Sequence, residues 1–231
     1  MNDAVVLFSG GLDSTTCLFL AKKQHDNIYA LSVNYKQRHQ VELSAAQKIA
    51  EICSVTEHKI IEIDLRLFGK SALTDIIEVP KDRQGTTEHE IPITYVPARN
   101  LILLSLASAY AESKNVNFIY IGANQIDYSG YPDCRPAFIT SFEKTLNLAT
   151  RQGVDGNSFQ ICTPLIDLTK KEIVLLATKL KAPLELTFSC YDPIIRENKA
   201  LPCGHCDSCI LRQKGFKEAN ISDRAMKGIE I

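Results

Sequence analysis

AVVLFSGGLDSTTCLFLAKK, running from Ala4 to Lys23, joins an apolar run to a helical pattern through a turn rich in glycine and hydroxyls. The run Ala4 to Phe8 is short, continuous and apolar, which predicts a buried strand. Leu18, Leu20 and Ala21 carry the helical pattern that follows. Between them lies Ser9-Gly10-Gly11-Leu12-Asp13-Ser14-Thr15. Two adjacent glycines let the backbone turn tightly and approach an anion with no Cβ in the way. The hydroxyls of Ser9, Ser14 and Thr15 add donors, and the free N–H groups of a new helix point at the same spot. The turn therefore reads as a phosphate cradle; the bland alternative is a strand-to-helix turn with a Ser/Asp cap. No lysine follows the second glycine as in GxxxxGK[ST], and the spacing GxGxxG is missing, so neither common nucleotide loop is present.

Outward from this turn, apolar runs and helical patterns alternate. Ile28 to Val33 predicts a second strand, His39 to Cys53 a helix, and Ile60, Ile61 and Ile63 a third strand. Residues 66–96 are irregular, with Pro80, Gly85 and Pro92, and the polar stretch Lys81 to Glu90 reads as a loop or lid. Ala98 to Ser113 predicts a helix, Phe118 to Ile121 a strand, Pro136 to Gly153 a helix, Phe159 to Thr163 a strand and Thr169 to Lys181 a helix. Such alternation implies right-handed crossovers and an α/β fold with a doubly wound parallel sheet. Ligands bind such sheets at the carboxyl ends of the strands. The turn at Ser9, residues Asn34 to His39 and residues Gly122 to Gln125 all leave such ends, so topology gathers them on one rim. The expected division is an α/β domain over 1–185 and a C-terminal metal-binding segment over 186–231 packed on it.

The 231 residues carry 26 basic and 27 acidic side chains, a net charge of −1, with no run of like charge. That balance argues against a nucleic-acid or membrane surface as the main partner. The start, Met1-Asn2-Asp3, has no basic region or cleavage site, and no apolar stretch reaches membrane-spanning length, so the expected location is cytoplasmic. Four of the eight cysteines crowd together: Cys190, then Cys203, Cys206 and Cys209 at two-residue gaps. Thiolates at that spacing can turn inward around one ion, which reads as a structural four-thiolate zinc site with no open position for water. Disulfides, an iron–sulfur cluster, or His205 in place of one cysteine are the alternatives. The other cysteines, Cys17, Cys53, Cys134 and Cys162, are scattered, and none is assigned a catalytic role.

SGGLDST at 9–15 resembles the pyrophosphate loop of the ATP pyrophosphatases, which bind ATP and transfer AMP to a substrate oxygen. Over nearly its whole length the chain resembles the 7-cyano-7-deazaguanine synthase family of queuosine-precursor biosynthesis. The match rests on that loop, YKQRHQVEL at 35–43, VPARN at 96–100, GANQIDYSGYPDCRPAF at 122–138, PLIDLTKKEIV at 164–174 and SCY…CGHCDSC at 189–209. The resemblance implies an adenine nucleotide alpha-hydrolase-like (Rossmann-like) fold and an ATP-dependent carbon–nitrogen ligase. Its expected reaction joins 7-carboxy-7-deazaguanine and ammonia, with ATP, to give the nitrile through an adenylated carboxylate and an amide. It also implies Mg²⁺, one structural zinc per subunit and a homodimer.

Residue by residue, the resemblance implies an ATP site over Phe8, Ser9, Gly10, Gly11, Leu12, Asp13, Ser14, Thr15, Thr16, Cys17 and Leu18. Asp13 is expected to face Mg²⁺, its alternative being a helix cap; Lys170 is expected at phosphate, its alternative being a solvated lysine. Arg99 is a candidate clamp for phosphate or the substrate carboxylate, beside Asn100 as a cap. Arg38 and His39 are expected along the same cleft. For the purine, Asp127 or Asp133 suits the N1–H and N2–H₂ edge, Tyr128 or Tyr131 suits stacking, and Arg135 suits the 7-carboxylate. Two other functions are a pyrophosphate-loop enzyme that adenylates a tRNA base, which needs an RNA-binding surface that the balanced charge does not supply, and a zinc-ribbon binding module whose ATP loop senses nucleotide, where Asp192, Glu197 and Asp207 dilute the surface cations Lys199 and Arg212.

Overall fold

The apolar run that opens the chain becomes the middle of a parallel sheet. The structure is a computed structural model and describes residues 2–37, 41–83, 91–124 and 130–230. Strand β1 (Ala4–Leu7) is buried along its whole length. It pairs in parallel with β2 (Ile28–Asn34) on one side and β4 (Phe118–Tyr120) on the other. β3 (Glu57–Glu62) extends the sheet beyond β2 and β5 (Gln160–Cys162) beyond β4, giving the order β3-β2-β1-β4-β5. The order reverses at β1, so the carboxyl ends of β1 and β4 flank a crevice, the usual ligand position in open α/β sheets.

Successive side chains of β1 feed opposite faces, as the period of a strand requires. Ala4, Val6 and Phe8 join a core with Leu18, Ala46 and Ile173, from the helices α1 (Leu12–Gln24), α2 (Val41–Cys53) and α6 (Lys170–Lys179). Val5 and Leu7 join Leu104, Ala107 and Ile139 from α3 (Arg99–Lys114) and α4 (Pro136–Ala149) on the other face. Burial on both faces explains why the run is continuously apolar rather than alternating.

Two expectations change. The helix expected over Pro136 to Gly153 is broken at Thr150, whose backbone is extended and whose hydroxyl accepts the Gly153 N–H at 3.2 Å, starting the short α5 (Arg151–Val154). A threonine that can cap a new turn competes with continuing the old helix. The last forty residues also hold more regular structure than their composition announces. Strands β6 (Ile194–Arg196), β7 (Lys199–Leu201) and β8 (Ile229–Glu230) form an antiparallel sheet, and α7 (Asp207–Glu218) carries Cys209. α7 packs on α6 through Gly215, where a Cβ would lie 2.7 Å from the Lys170 Cβ. Phe216, Cys206 and Cys209 belong to the same apolar cluster as α1 and α6. The stretch Lys81 to Glu90 is described only as far as Arg83; there Lys81 pairs with Asp192 at 3.0 Å and the Asp82 N–H donates to His205 O. Among the described residues no helix is long and apolar enough to cross a membrane.

Candidate active site

The turn between β1 and α1 is shaped by its glycines. Gly10 has φ +81°, and a Cβ there would lie 2.5 Å from Glu42 O and 2.7 Å from Ala46 N. Both the left-handed backbone and the approach of α2 thus exclude a side chain. Gly10→Ala should destabilise the fold by about 2–4 kcal/mol, read from chemical denaturation, because backbone rather than a movable side chain meets the new methyl. The Ser9 and Ser14 hydroxyls lie 3.0 Å apart across the turn, and the Gly11 N–H donates to Ser9 Oγ at 3.4 Å. Gly11 is the N-cap of α1, with no side-chain cap.

Asp13 stands in the first turn of α1. Its Oδ2 accepts from Lys170 Nζ at 2.5 Å and from Asn124 Nδ2 at 3.0 Å, while its buried Oδ1 has no hydrogen-bond partner among the described residues. Asp13 and Lys170 are 22% and 13% exposed, so the pair is mostly shielded from water. Lys170 is held there because the Thr169–Glu172 capping box fixes the start of α6 and Gly215 admits α7 against it. A shielded acceptor with an unfilled oxygen beside the glycine turn fits a divalent cation. β4 closes in from the other side: a Cβ on Gly122 would sit 3.1 Å from Ser14 N.

One cavity of about 270 Å³ runs along this turn and is walled by Asp13, Lys170, Arg99, Glu42, Tyr131 and Tyr191, among others. That volume suits a small molecule rather than a folded partner. Arg99 begins α3 after Ala98, whose φ of +53° marks a strained entry. Its guanidinium lies over the Tyr35 ring at 5.7 Å and donates to Tyr35 Oη at 3.4 Å. Burial holds the Tyr35 phenol above its ordinary range, so it stays protonated. Glu42, half-buried in the first turn of α2, is pushed up to about 7 by burial, against the opposing pull of the Arg99 charge.

Not every residue expected at the site lines the cavity. Phe8, Ser9, Gly11, Leu12, Asp13 and Ser14 do, whereas Cys17 and Leu18 are fully buried in the core and Thr16 Oγ1 donates to Leu12 O at 2.8 Å. Thr15 is buried, its hydroxyl without a hydrogen-bond partner among the described residues. Asp133 is buried at the start of α3, where its Oδ2 accepts the Asn100 N–H at 2.8 Å. Arg135 is exposed at the start of α4. Tyr131 lines the cavity, stacks on Tyr95 at 6.0 Å and bonds Thr94 Oγ1 at 3.0 Å. Arg38, His39, Asp127 and Tyr128 lie outside the described residues. Tyr35, Glu42 and Ser189 also wall the cavity, although sequence reasoning did not single them out. Tyr35 carried a positional signal in the loop after β2 and Ser189 in its place beside Cys190, whereas Glu42 carried none, because an acid in a first helical turn reads as an ordinary dipole partner.

The sulfurs of Cys190, Cys203, Cys206 and Cys209 lie within 4.8 Å of one another. Backbone N–H groups already donate to them: Cys203 N to Cys190 Sγ at 3.2 Å, and Cys206 N to Cys203 Sγ at 3.3 Å. Four convergent thiolates with supporting N–H groups fit a tetrahedral ion about 2.3 Å from each sulfur. His205 is turned away, exposed, with Nδ1 2.9 Å from Asp82 Oδ1. The cluster is tied to the turn: the Phe188 N–H donates to Gly10 O at 3.0 Å, and the Leu12 N–H to Ser189 Oγ at 3.4 Å. Arg212, read from sequence as a surface cation, is instead buried. It forks onto Asp223 at 2.6 and 3.0 Å and donates to Thr187 Oγ1 at 2.8 Å, because the fold brings a carboxylate and hydroxyls to meet it.

A family model described as "Queuosine biosynthesis protein QueC" matches residues 3–220. The chain belongs to this family. Among its relatives, a protein named 7-cyano-7-deazaguanine synthase from Myxococcus xanthus (strain DK1622) is 54% identical over 221 residues, covering 95% of each chain. One of the same name from Anaeromyxobacter sp. (strain Fw109-5) is 51% identical over 222 residues, 95% of this chain and 94% of its own. Among solved structures, a predicted subunit of a tRNA methyltransferase from Methanocaldococcus jannaschii DSM aligns with TM-score 0.51 at 20% identity, over 97% of this chain and 91% of that one. At that identity the likeness shows a shared fold. The queuosine family match covers the glycine turn, the Arg99 wall and all four cysteines.

Proposed function

We propose that the protein is an ATP-dependent carbon–nitrogen ligase that converts 7-carboxy-7-deazaguanine and ammonia to 7-cyano-7-deazaguanine. A carboxylate resists ammonia because its carbon is electron-rich and oxide is a poor leaving group. Attack of the carboxylate oxygen on the α-phosphorus of ATP forms a mixed anhydride and expels pyrophosphate. Ammonia then forms the C–N bond as the C–O bond to AMP breaks, giving the amide. A second activation at the amide oxygen permits loss of that oxygen with AMP and formation of the nitrile.

The observation that carries this assignment is one cavity walled by the glycine turn, the Asp13–Lys170 pair and Arg99, in a chain whose relatives bear the synthase name. Ser9, Gly11, Leu12 and Ser14 receive the pyrophosphate, helped by the positive end of α1. Lys170 Nζ and the Arg99 guanidinium neutralise charge as pyrophosphate departs and orient the reacting carboxylate. Mg²⁺ on the nucleotide would supply further charge neutralisation, and Asp13, through its unfilled Oδ1, is the residue to hold it. Tyr131 offers an aromatic face to the purine. Arg38 and Asp127 belong to the substrate site on sequence resemblance. We assign the four thiolates to one structural zinc, residues 186–231 to a segment folded around it against the 1–185 domain, and the working form to a cytoplasmic homodimer. AMP release that depends on both 7-carboxy-7-deazaguanine and ammonium is the expected result; ATP turnover indifferent to that substrate would overturn the assignment.

A further inference from the structure

We propose that Glu42 is the general base that takes the proton from the attacking nitrogen. This rests on the ligase assignment above and names a catalytic group for its amide-forming step.

Three features of the structure lead here. The first turn of α2 sits directly on the glycine turn, so close that Gly10 cannot bear a Cβ beside Glu42 O. Glu42 also lines the cavity that holds Asp13, Lys170 and Arg99. Among the described residues no hydrogen bond or ion pair of 4.0 Å or less engages its carboxylate. The other carboxylates of the neighbourhood are occupied: Asp13 bonds Lys170 and Asn124, Asp133 caps α3 and Asp223 holds Arg212. Among the described residues, the charged and titratable groups walling this cavity with Glu42 are Tyr35 after β2, Arg99 of α3, Tyr131, Cys134, Cys190, Tyr191, Arg212 of α7, and the Asp13–Lys170 pair of α1 and α6. Of these the Arg99 charge acts on it, yet burial prevails and leaves its carboxyl near 7.

The chemistry needs such a group. Ammonia adding to the mixed anhydride gives a tetrahedral adduct bearing –NH₃⁺ and an oxyanion. Unless a proton leaves that nitrogen, the better leaving group is ammonia and the adduct reverts. Transfer of one N–H proton to the Glu42 carboxylate leaves –NH₂; the oxyanion then reforms the carbonyl as the C–O bond to AMP breaks. Glu42 afterwards returns its proton to solvent, so protons and charge balance over the cycle. A base works best when its pKa lies near the operating pH and is worth about 10²- to 10⁴-fold in rate.

Glu42→Gln tests this, since glutamine keeps the shape and forfeits only the basic oxygen. Two steps are measured separately: exchange of labelled pyrophosphate into ATP dependent on 7-carboxy-7-deazaguanine, and amide formation with ammonium. The expected result is exchange within about threefold of wild type with amide formation down by about 10²-fold or more. At constant free ammonia, the wild-type acid limb near pH 7, where rate rises as Glu42 deprotonates, should vanish from the variant. Hydroxylamine, whose adduct sheds its proton without help, should restore product formation in the variant. Loss of exchange together with amide formation, a raised KM for the deazaguanine alone, or an unchanged pH profile would each overturn the proposal. Absence of substrate-dependent exchange in the wild-type enzyme would instead overturn the ligase assignment itself. Glu42→Asp, which keeps a carboxylate, should retain the acid limb at a lower rate.

Discussion

Asp13→Asn lowers ATP-dependent turnover by about 10²- to 10³-fold, the loss typical of removing one preorganised electrostatic contact at a reacting centre. In the native site Oδ2 accepts from both Lys170 Nζ and Asn124 Nδ2. An amide in its place is neutral and can turn an NH₂ toward two donors. The lysine is then no longer aimed at the turn, and the Oδ1 proposed to meet a cation belongs to a neutral amide. Single-turnover kinetics with saturating ATP check the effect, and undiminished turnover would show the pair to be scaffolding. Stability should fall as well. The pair is mostly shielded, and removing one member of a buried ion pair costs about 3–5 kcal/mol. The companion variant Lys170→Met, which strands the carboxylate, should show that cost in full. For a chain of this size it corresponds to a drop in Tm of about 6–20 °C. Parallel thermal melts therefore separate the catalytic loss, expected in both variants, from the larger stability loss expected in the lysine variant.

A metal ion held by the four cysteines should contribute more stability than the Asp13–Lys170 pair. Structural zinc contributes about 10–16 kcal/mol in small peptides, comparable with the 5–15 kcal/mol that holds a whole domain. Here the metal-free state leaves four thiols, three of them buried, facing one another. The expected outcome of chelation, or of Cys206→Ser, is a Tm lowered by more than about 10 °C. ATP affinity should weaken with it, because the Phe188 N–H bonds Gly10 O and Ser189 accepts from Leu12, tying the cysteine segment to the glycine turn. Acidification should act in the same direction: ligand thiolates bind the ion only when deprotonated, so affinity falls as pH falls. Metal content, melting temperature and nucleotide binding measured on one titration check the chain of effects. Nucleotide binding indifferent to chelation would break the proposed link while leaving the stability effect standing.

Much of the scaffold was legible before any coordinates. β1 announced itself because a strand covered on both faces must be apolar throughout, and the turn after it because two glycines and three hydroxyls leave few other uses. Boundaries were less legible where a side chain competes with the backbone, as at Thr150, whose hydroxyl starts a new turn. The C-terminal helix was missed for a related reason. Its face is held by Gly215, by the cysteines and by a buried Arg212, none of which produces an apolar helical stripe.

Local patterns alone determined the α/β alternation, the glycine turn and the clustering of the four cysteines, since each depends on residue type at short separation. Tertiary structure decided which distant groups share the cavity. Lys170 reaches Asp13 across 157 positions of chain, Asp133 spends its carboxylate on α3, and Glu42 is left without a described partner above the turn. No short-range rule encodes such meetings. They follow from the order in which the sheet reverses at β1 and from the glycines that let helices close on the turn.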